Sequence, residues 1–394
     1  MADLAVDIAG IHFDNPVIVA SAPLTLSSGH MVKCIRAGAS GVVTKTVTYD
    51  PSQQVQPKPR MHVVNPKDAL AGRFYSLYSI DLMSEHQPEE WASQIKDARG
   101  ELGRDGVIIA SIAGRTFEEW RKLAALMEGS GADMLELNLS CPHLEGGELM
   151  GKAVSSDLDL VSKIVRAVKA SASIPVIGKL TPQGANPLHL ARTMASSGID
   201  VLASTARFQG LVVDVETGRP ALWPWFGGYG GPWQVPISLG WTAHIAMEKL
   251  GRPIMGSGGI STWRDALSFL LVGASAIQLC TAIMVRGHGI VGEINRGLGD
   301  WLDDWGYGSI KEVVGLSLGN MTSLGELERR KIYRVSIDGG KCTRCGICVD
   351  RCPYWALSLG GSGIMVDGAK CDNCNLCVSL CPVGAMSLIK EEGL

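Results

Sequence analysis

Along the first 330 residues, short apolar runs rich in β-formers alternate with stretches of helical periodicity. Eight of the runs read as strands: PVIVA (16–20), GVVTK (41–45), VIIAS (107–111), MLELN (134–138), PVIGK (175–179), VLAS (201–204), PIMGS (253–257) and AIQLC (276–280). Between them lie helices with readable faces. Thr116 and Glu119 have the spacing of a capping box. Trp120, Leu123, Ala124 and Met127 follow at i, i+3, i+4 and i+7. Leu160, Ile164 and Val168 form another stripe. This alternation favours parallel strands, and eight of them predict a (β/α)8 barrel, an α/β TIM barrel. A doubly wound sheet is the second reading. It lacks the G-x-G-x-x-G expected after the first strand.

In a barrel, chemistry gathers where strands end at the C-terminal face. The residues there are Ser21 after strand one and Lys45 and Thr46 at strand two. Strand four runs into Asn138, Leu139, Ser140, Cys141, Pro142 and His143. Lys179 closes strand five, Ala206 and Arg207 follow strand six, and Ser257, Gly258 and Gly259 follow strand seven. Strand eight ends in Cys280 and Thr281. Two glycines after strand seven and a polar turn after strand eight suit a phosphate, which bare N–H groups can cradle. Two lysines at the mouth, Lys45 and Lys179, are costly to bury unless they face an anion. Together these features predict an anionic cofactor.

Composition narrows the class. The chain has 394 residues, which at about 150 per domain allows two or three domains. It is 46 % hydrophobic and 19 % charged, which argues against disorder. The net charge of −3 comes with no basic block, which argues against nucleic-acid binding. The N-terminus, MADLAVDIAGIHFDNP, has no signal-peptide pattern. No apolar run reaches the roughly 18 residues of a membrane helix. A soluble, cytoplasmic protein is expected.

Of the 11 cysteines, Cys34, Cys141 and Cys280 stand alone. Cys34 falls in a helical pattern and reads as core. The other eight form two runs, CTRCGICVDRCP (342–353) and CDNCNLCVSLCP (371–382), each C-x2-C-x2-C-x3-C-P. Three close thiolates grip one cubane, and the fourth reaches the other cluster. The spacing assigns Cys342, Cys345, Cys348 and Cys381 to one [4Fe–4S] cluster and Cys371, Cys374, Cys377 and Cys352 to a second. Zinc sites rarely use such a doubled, crossed pattern. The expected domains are a barrel over 1–330 and a two-cluster ferredoxin domain over 331–394, the latter resembling bacterial ferredoxins.

VVTKT, LNLSCPH, GKLTP, GSGGI and QLCTAI occur in this order in the dihydroorotate and dihydropyrimidine dehydrogenases, and the chain resembles that family of FMN-dependent barrels. The ferredoxin tail narrows the resemblance to catalytic subunits of bacterial NAD-dependent dihydropyrimidine dehydrogenases. The resemblance implies that FMN lies on the barrel mouth. Ser21, Lys45, Thr46 and Lys179 would touch its ring and ribityl chain, with Gly231 near the flavin. Ser257, Gly258, Gly259, Cys280 and Thr281 would hold its phosphate. It implies that Cys141 is the general acid or base, passing a proton to one carbon of a C=C bond while FMN passes a hydride to its neighbour. Asn138 and Ser140 would contact substrate. His143, where the dihydroorotate branch tends to have Asn, would be supporting.

The chain also departs from the family. Pyrimidine dehydrogenases carry Asn-Thr after strand six to read the ring; here stand Ala206 and Arg207. After strand three comes GRTFEEW, with Arg115 and Thr116. An arginine offers only donors and a fixed charge, unlike an amide. Arg207 therefore predicts an anionic unsaturated substrate other than uracil or thymine, with an aromatic part facing Trp223, Trp225 or Trp233. The alternatives are that Arg207 faces solvent or pairs with Asp214 or Glu216, and that the substrate is a plain pyrimidine after all. A reading of another class is an electron-transfer subunit with a non-catalytic barrel. No second dinucleotide motif is present, so electrons are expected from a separate FAD- and NAD(P)H-binding subunit or from a ferredoxin. Such barrels are commonly homo-oligomers.

Overall fold

All eight apolar runs form strands. They are β1 (Val17–Val19), β2 (Gly41–Val43), β3 (Val107–Ile112), β4 (Met134–Leu137), β5 (Val176–Lys179), β6 (Val201–Ser204), β7 (Ile254–Ser257) and β8 (Ala276–Leu279). Each pairs in parallel with the next, and β8 returns to β1 through Ile277↔Val17 and Leu279↔Val19, closing the barrel. The computed structural model describes residues 2–139, 155–361 and 363–391. The chain divides into two compact units, Met1–Met321 and Thr322–Leu394. Among the described residues no helix is long and apolar enough to cross a membrane.

The strands read as apolar runs because both faces are covered. Val17, Ile18 and Val19 are all fully buried, as are Ile108, Ile109 and Ala110. The helices cover the outside: α1 (Ser28–Arg36), α2 (Pro88–Leu102), α3 (Phe117–Gly129), α4 (Leu158–Lys169), α5 (Pro187–Ser196), α6 (Val235–Met247), α7 (Trp263–Leu271), α8 (Thr281–Arg286) and α9 (Gly289–Trp305). In α3 the expected stripe of Trp120, Leu123, Ala124 and Met127 is fully buried. Its cap differs from the expected box. Thr116 Oγ1 accepts from the Glu119 amide at 3.1 Å, but the Glu119 carboxylate takes the amide and guanidinium of Arg115 instead. In α4, Ile164 and Val168 are buried and Leu160 is half-buried.

Two long excursions build a second sheet that the sequence reading left unassigned. Met61–Val64 and Ser76–Ser79 leave the barrel after β2; Phe208–Gly210 and Gly227–Gly230 leave it after β6. They join as one antiparallel sheet, with Gly228 opposite Ser79 and Gly230 opposite Leu77. Glycine permits this pairing. A Cβ at Gly227 would stand 2.5 Å from the Tyr78 ring and 2.9 Å from the Ser79 carbonyl.

The C-terminal unit repeats itself. Strand Tyr333–Ile337 pairs with Met386–Lys390, and Leu357–Gly360 with Gly363–Val366. Each half opens with an aspartate turn: Asp338 Oδ1 accepts from the Gly340 amide at 2.9 Å, and Asp367 Oδ1 from the Ala369 amide at 3.0 Å. Left-handed residues recur at matching positions of the two cysteine runs: Arg344 (φ 55°) and Asn373 (59°), Gly346 (78°) and Asn375 (67°), Trp355 (50°) and Gly384 (61°). Such turns let closely spaced cysteines face one centre.

Candidate active site

One pocket opens at the C-terminal ends of the strands, with about 1010 Å³ of space including its mouth. Ser21, Lys45, Thr46, Asn138, Lys179, Arg207, Gly231, Ser257, Gly258, Gly259, Cys280 and Thr281 all line it. The structure thus brings together the cofactor and substrate candidates that it describes. Ser140, Cys141 and His143 lie outside the described residues.

The glycines form an interlocked cradle. Gly258 and Gly259 have φ of +117° and +85°. A Cβ on Gly258 would meet Ser238 Oγ at 2.3 Å and Gln234 Nε2 at 2.4 Å. One on Gly259 would meet the Gly231 carbonyl at 2.5 Å, and one on Gly231 the Tyr75 carbonyl at 2.5 Å. Glycine is thus required at each position, both for the backbone angle and for space. Helix α8 begins at Thr281 beside this cradle; its first bonds run from the Ile283 and Met284 amides to the Cys280 carbonyl, so the amides of Thr281 and Ala282 precede them. A phosphate fits such a lining of bare backbone.

The two lysines do not need an external anion. Lys45 Nζ donates to Asp81 Oδ2, and Arg60 Nε lies 3.5 Å from Asp81 Oδ1. Lys179 Nζ lies 3.0 Å from Glu136 Oε1, and Glu136 is fully buried. Each ammonium therefore has an internal carboxylate, which offsets the cost of burial without any ligand. Arg207 is different. Its Nη1 donates to Ser79 Oγ, and its guanidinium lies against Gly228, where a Cβ would come within 2.6 Å of Cζ. Among the described residues no carboxylate pairs with it. Asp214, one expected partner, instead accepts from the amides of Glu216 and Thr217 in its own turn.

The expectation for the tryptophans is corrected. None of Trp223, Trp225 and Trp233 borders the pocket. Trp223 and Trp225 are exposed, and Trp233 stacks on Tyr229 with ring centres 5.3 Å apart. Arg115 is held by Glu119 and does not reach the pocket. Cys34 is buried core, its thiol pushed up to about 11 by desolvation. Burial also pushes the Cys280 thiol up, against the positive charges of Arg207, Lys179 and Lys45.

The sequence reading missed Asp81, Glu136, Gln234 and Gln278, all of which line the pocket. Glu136 and Gln278 stood inside the apolar runs MLELN and AIQLC, where a buried polar side chain is itself a signal. Around Thr46, hydroxyls and an amide form a connected patch. Asn138 Nδ2 donates to Thr46 Oγ1 at 2.9 Å, and Ser111 Oγ and Ser21 Oγ lie 3.0 and 3.4 Å from the same oxygen.

In the C-terminal unit, the cysteines line two small cavities. Cys342, Cys345, Cys348 and Cys381 surround one; Cys352, Cys371, Cys374 and Cys377 surround the other. The fourth cysteine of each run thus crosses to the opposite cavity. The Ala385 amide points at Cys381 Sγ from 3.2 Å and heads the causes that hold this thiol below its ordinary value.

Comparison with known proteins agrees with this architecture. The profile of the dihydroorotate dehydrogenase family matches residues 3–302. The chain belongs to that family. A 4Fe-4S dicluster domain matches residues 341–386. The NAD-dependent dihydropyrimidine dehydrogenase subunit PreA of Escherichia coli K12 is 32 % identical over 361 residues, covering 89 % of this chain and 85 % of that protein. The catalytic subunit of dihydroorotate dehydrogenase B (NAD(+)) from Pyrococcus abyssi is 36 % identical over 315 residues, covering 80 % and 99 %. Its Pyrococcus furiosus counterpart is 34 % identical, covering 80 % and 98 %. As a member of this family the chain is a flavin-dependent oxidoreductase acting on CH–CH bonds, with an iron–sulfur domain attached.

Proposed function

We propose that the chain is the catalytic subunit of an FMN- and iron–sulfur-dependent enzyme that reduces, or in reverse forms, an activated C=C bond in a carboxylated substrate. Arg207 carries the substrate assignment. It is the lining cation without a carboxylate partner among the described residues, in a pocket that also holds the glycine cradle. Such a guanidinium favours a carboxylate, which it can take bidentately. The relatives divide on this point: dihydroorotate bears a ring carboxylate, and simple dihydropyrimidines do not.

Ser257, Gly258, Gly259, Cys280 and Thr281 would hold the FMN phosphate; Ser21, Lys45, Thr46, Lys179 and Gly231 would bound its ring and ribityl chain. Bound FMN supplies hydride exchange with one carbon of the double bond. Cys141 holds the proton exchanged at the neighbouring carbon, Arg207 orients the carboxylate, and Asn138 and Ser140 contact the rest of the substrate. Electrons for the reduction travel from a separate FAD- and NAD(P)H-binding subunit or a ferredoxin through two [4Fe–4S] clusters, one per cysteine-lined cavity, to the flavin. The relatives' description as subunits of NAD-dependent enzymes supports a partner chain.

A second reading, a dehydrogenase of uncharged pyrimidines, is favoured by the E. coli relative, whose match covers 89 % of this chain. An anaerobic titration separates the two. The protein is reduced until flavin and clusters bleach, freed of reductant, and mixed with orotate, other unsaturated acids, uracil or thymine. Return of flavin absorbance with an acid alone is the expected result. Equal or faster return with uracil or thymine would establish the second reading. Bleaching that no substrate reverses would leave a barrel without this activity.

The crossed ligation carries its own prediction. Cys352→Ser lies in the first run but should abolish the cluster held by the second, halving bound iron while the cluster of Cys342, Cys345 and Cys348 keeps its spectrum. Loss of the first cluster alone would contradict the crossing.

A further inference from the structure

The pocket holds a closed ring of three side chains, of which the proposed chemistry gives a task to Lys179 alone. Lys179 Nζ donates to Glu136 Oε1 at 3.0 Å and approaches Gln278 Oε1 at 3.4 Å. Gln278 Nε2 donates to Glu136 Oε2 at 2.8 Å. The three come from β5, β4 and β8 and all line the pocket. Both carboxylate oxygens of Glu136 are thus engaged. Lys179 is held by two acceptors, at a side-chain exposure of only 12 %.

The carboxylate compensates the buried ammonium. An uncharged acceptor such as Gln278 would hold the ammonium in place but leave its charge uncompensated. What the carboxylate adds is charge. The flavin ring takes on negative charge when reduced, and a neighbouring cation favours that state. Glu136 neutralises the cation from behind. The cavity lining then presents a hydrogen-bond donor to the ring with little net charge.

We propose that Glu136 is a positioning residue that sets the reduction potential of the bound flavin, through the charge and placement of Lys179. It keeps the potential lower than a free lysine would, so the flavin remains able to pass electrons on to substrate. The inference rests on the reading that FMN occupies this pocket with Lys179 beside its ring.

The test is the midpoint potential of the flavin in the holoenzyme, measured by anaerobic spectroelectrochemistry. Glu136→Gln keeps the shape and an acceptor for Lys179 while removing the charge. It should raise the potential by at least one tenfold step in the reduction equilibrium, about 30 mV for a two-electron couple. Gln278→Leu leaves both charges but loosens Lys179, and should shift the potential the same way by less. This second variant also serves if Glu136→Gln does not fold. Flavin bound with an unmoved potential in the variants would overturn the inference and leave the FMN reading intact. Wild-type protein that retains no flavin would overturn both.

Discussion

Replacing Cys141 with alanine is expected to slow substrate-dependent reoxidation of the reduced flavin by about 10²–10⁴-fold, the usual worth of a positioned general acid or base. Reducing a C=C bond adds a hydride to one carbon and a proton to its neighbour. Removing the thiol leaves the hydride step without its matching proton. Cys141 follows by three positions Asn138, which lines the pocket at the end of β4. The effect should appear in one half of the cycle only. Stopped-flow reduction of the flavin through the clusters should keep its rate, since that half involves no carbon acid. Cys141→Ser should fall between wild type and alanine, because a hydroxyl releases its proton less readily than a thiol. A loss below tenfold in Cys141→Ala would remove the residue from the chemistry and return it to a structural role.

The second large effect is expected at Arg207. Truncating one partner of a hydrogen-bonded charge pair costs about 2–5 kcal/mol. Arg207 is half-buried, so the lower part of that range, about 2–3 kcal/mol, applies. In kcat/KM this is a loss of roughly 30–150-fold, appearing mainly as a raised KM for a carboxylated substrate. Flavin content should be unchanged in Arg207→Ala, because the proposed phosphate cradle is built from Gly258, Gly259 and the start of α8. Loss of flavin would reassign the arginine to the cofactor. An unchanged KM would end the case for an anionic substrate. Arg207→Lys keeps the charge but not the planar fork, and should restore only part of the loss.

Much of this fold could be read from the sequence, for reasons visible in it. Strands covered on both sides leave apolar runs such as VIIAS and PVIVA, and all eight of these runs became barrel strands. Cysteine spacing carried enough geometry to anticipate the crossed cavities. The first cysteine of each run follows an aspartate turn, a repetition that the alternation of apolar residues alone did not reveal. What escaped were partners distant in sequence. Lys45 and Lys179 could be placed at the mouth, but their counter-charges come from Asp81, beyond an unassigned excursion, and from Glu136, hidden in an apolar run. The tryptophans misled because ALWPWFGGYGGPW offers several aromatic side chains whose direction periodicity does not fix. There it is the glycines, Gly228, Gly230 and Gly231, that shape the pocket.

The sheet at the barrel mouth joins chain segments separated by four barrel strands. Ser79, which holds Arg207, sits in the earlier segment; Gly228, which makes room for it, sits in the later one. On the proposed role of Arg207, substrate range is therefore a two-locus trait. Transplanting either excursion alone from a relative would set foreign side chains against an unaltered partner strand and unseat the arginine. Exchanging 61–79 together with 208–230 would carry the pairing across intact.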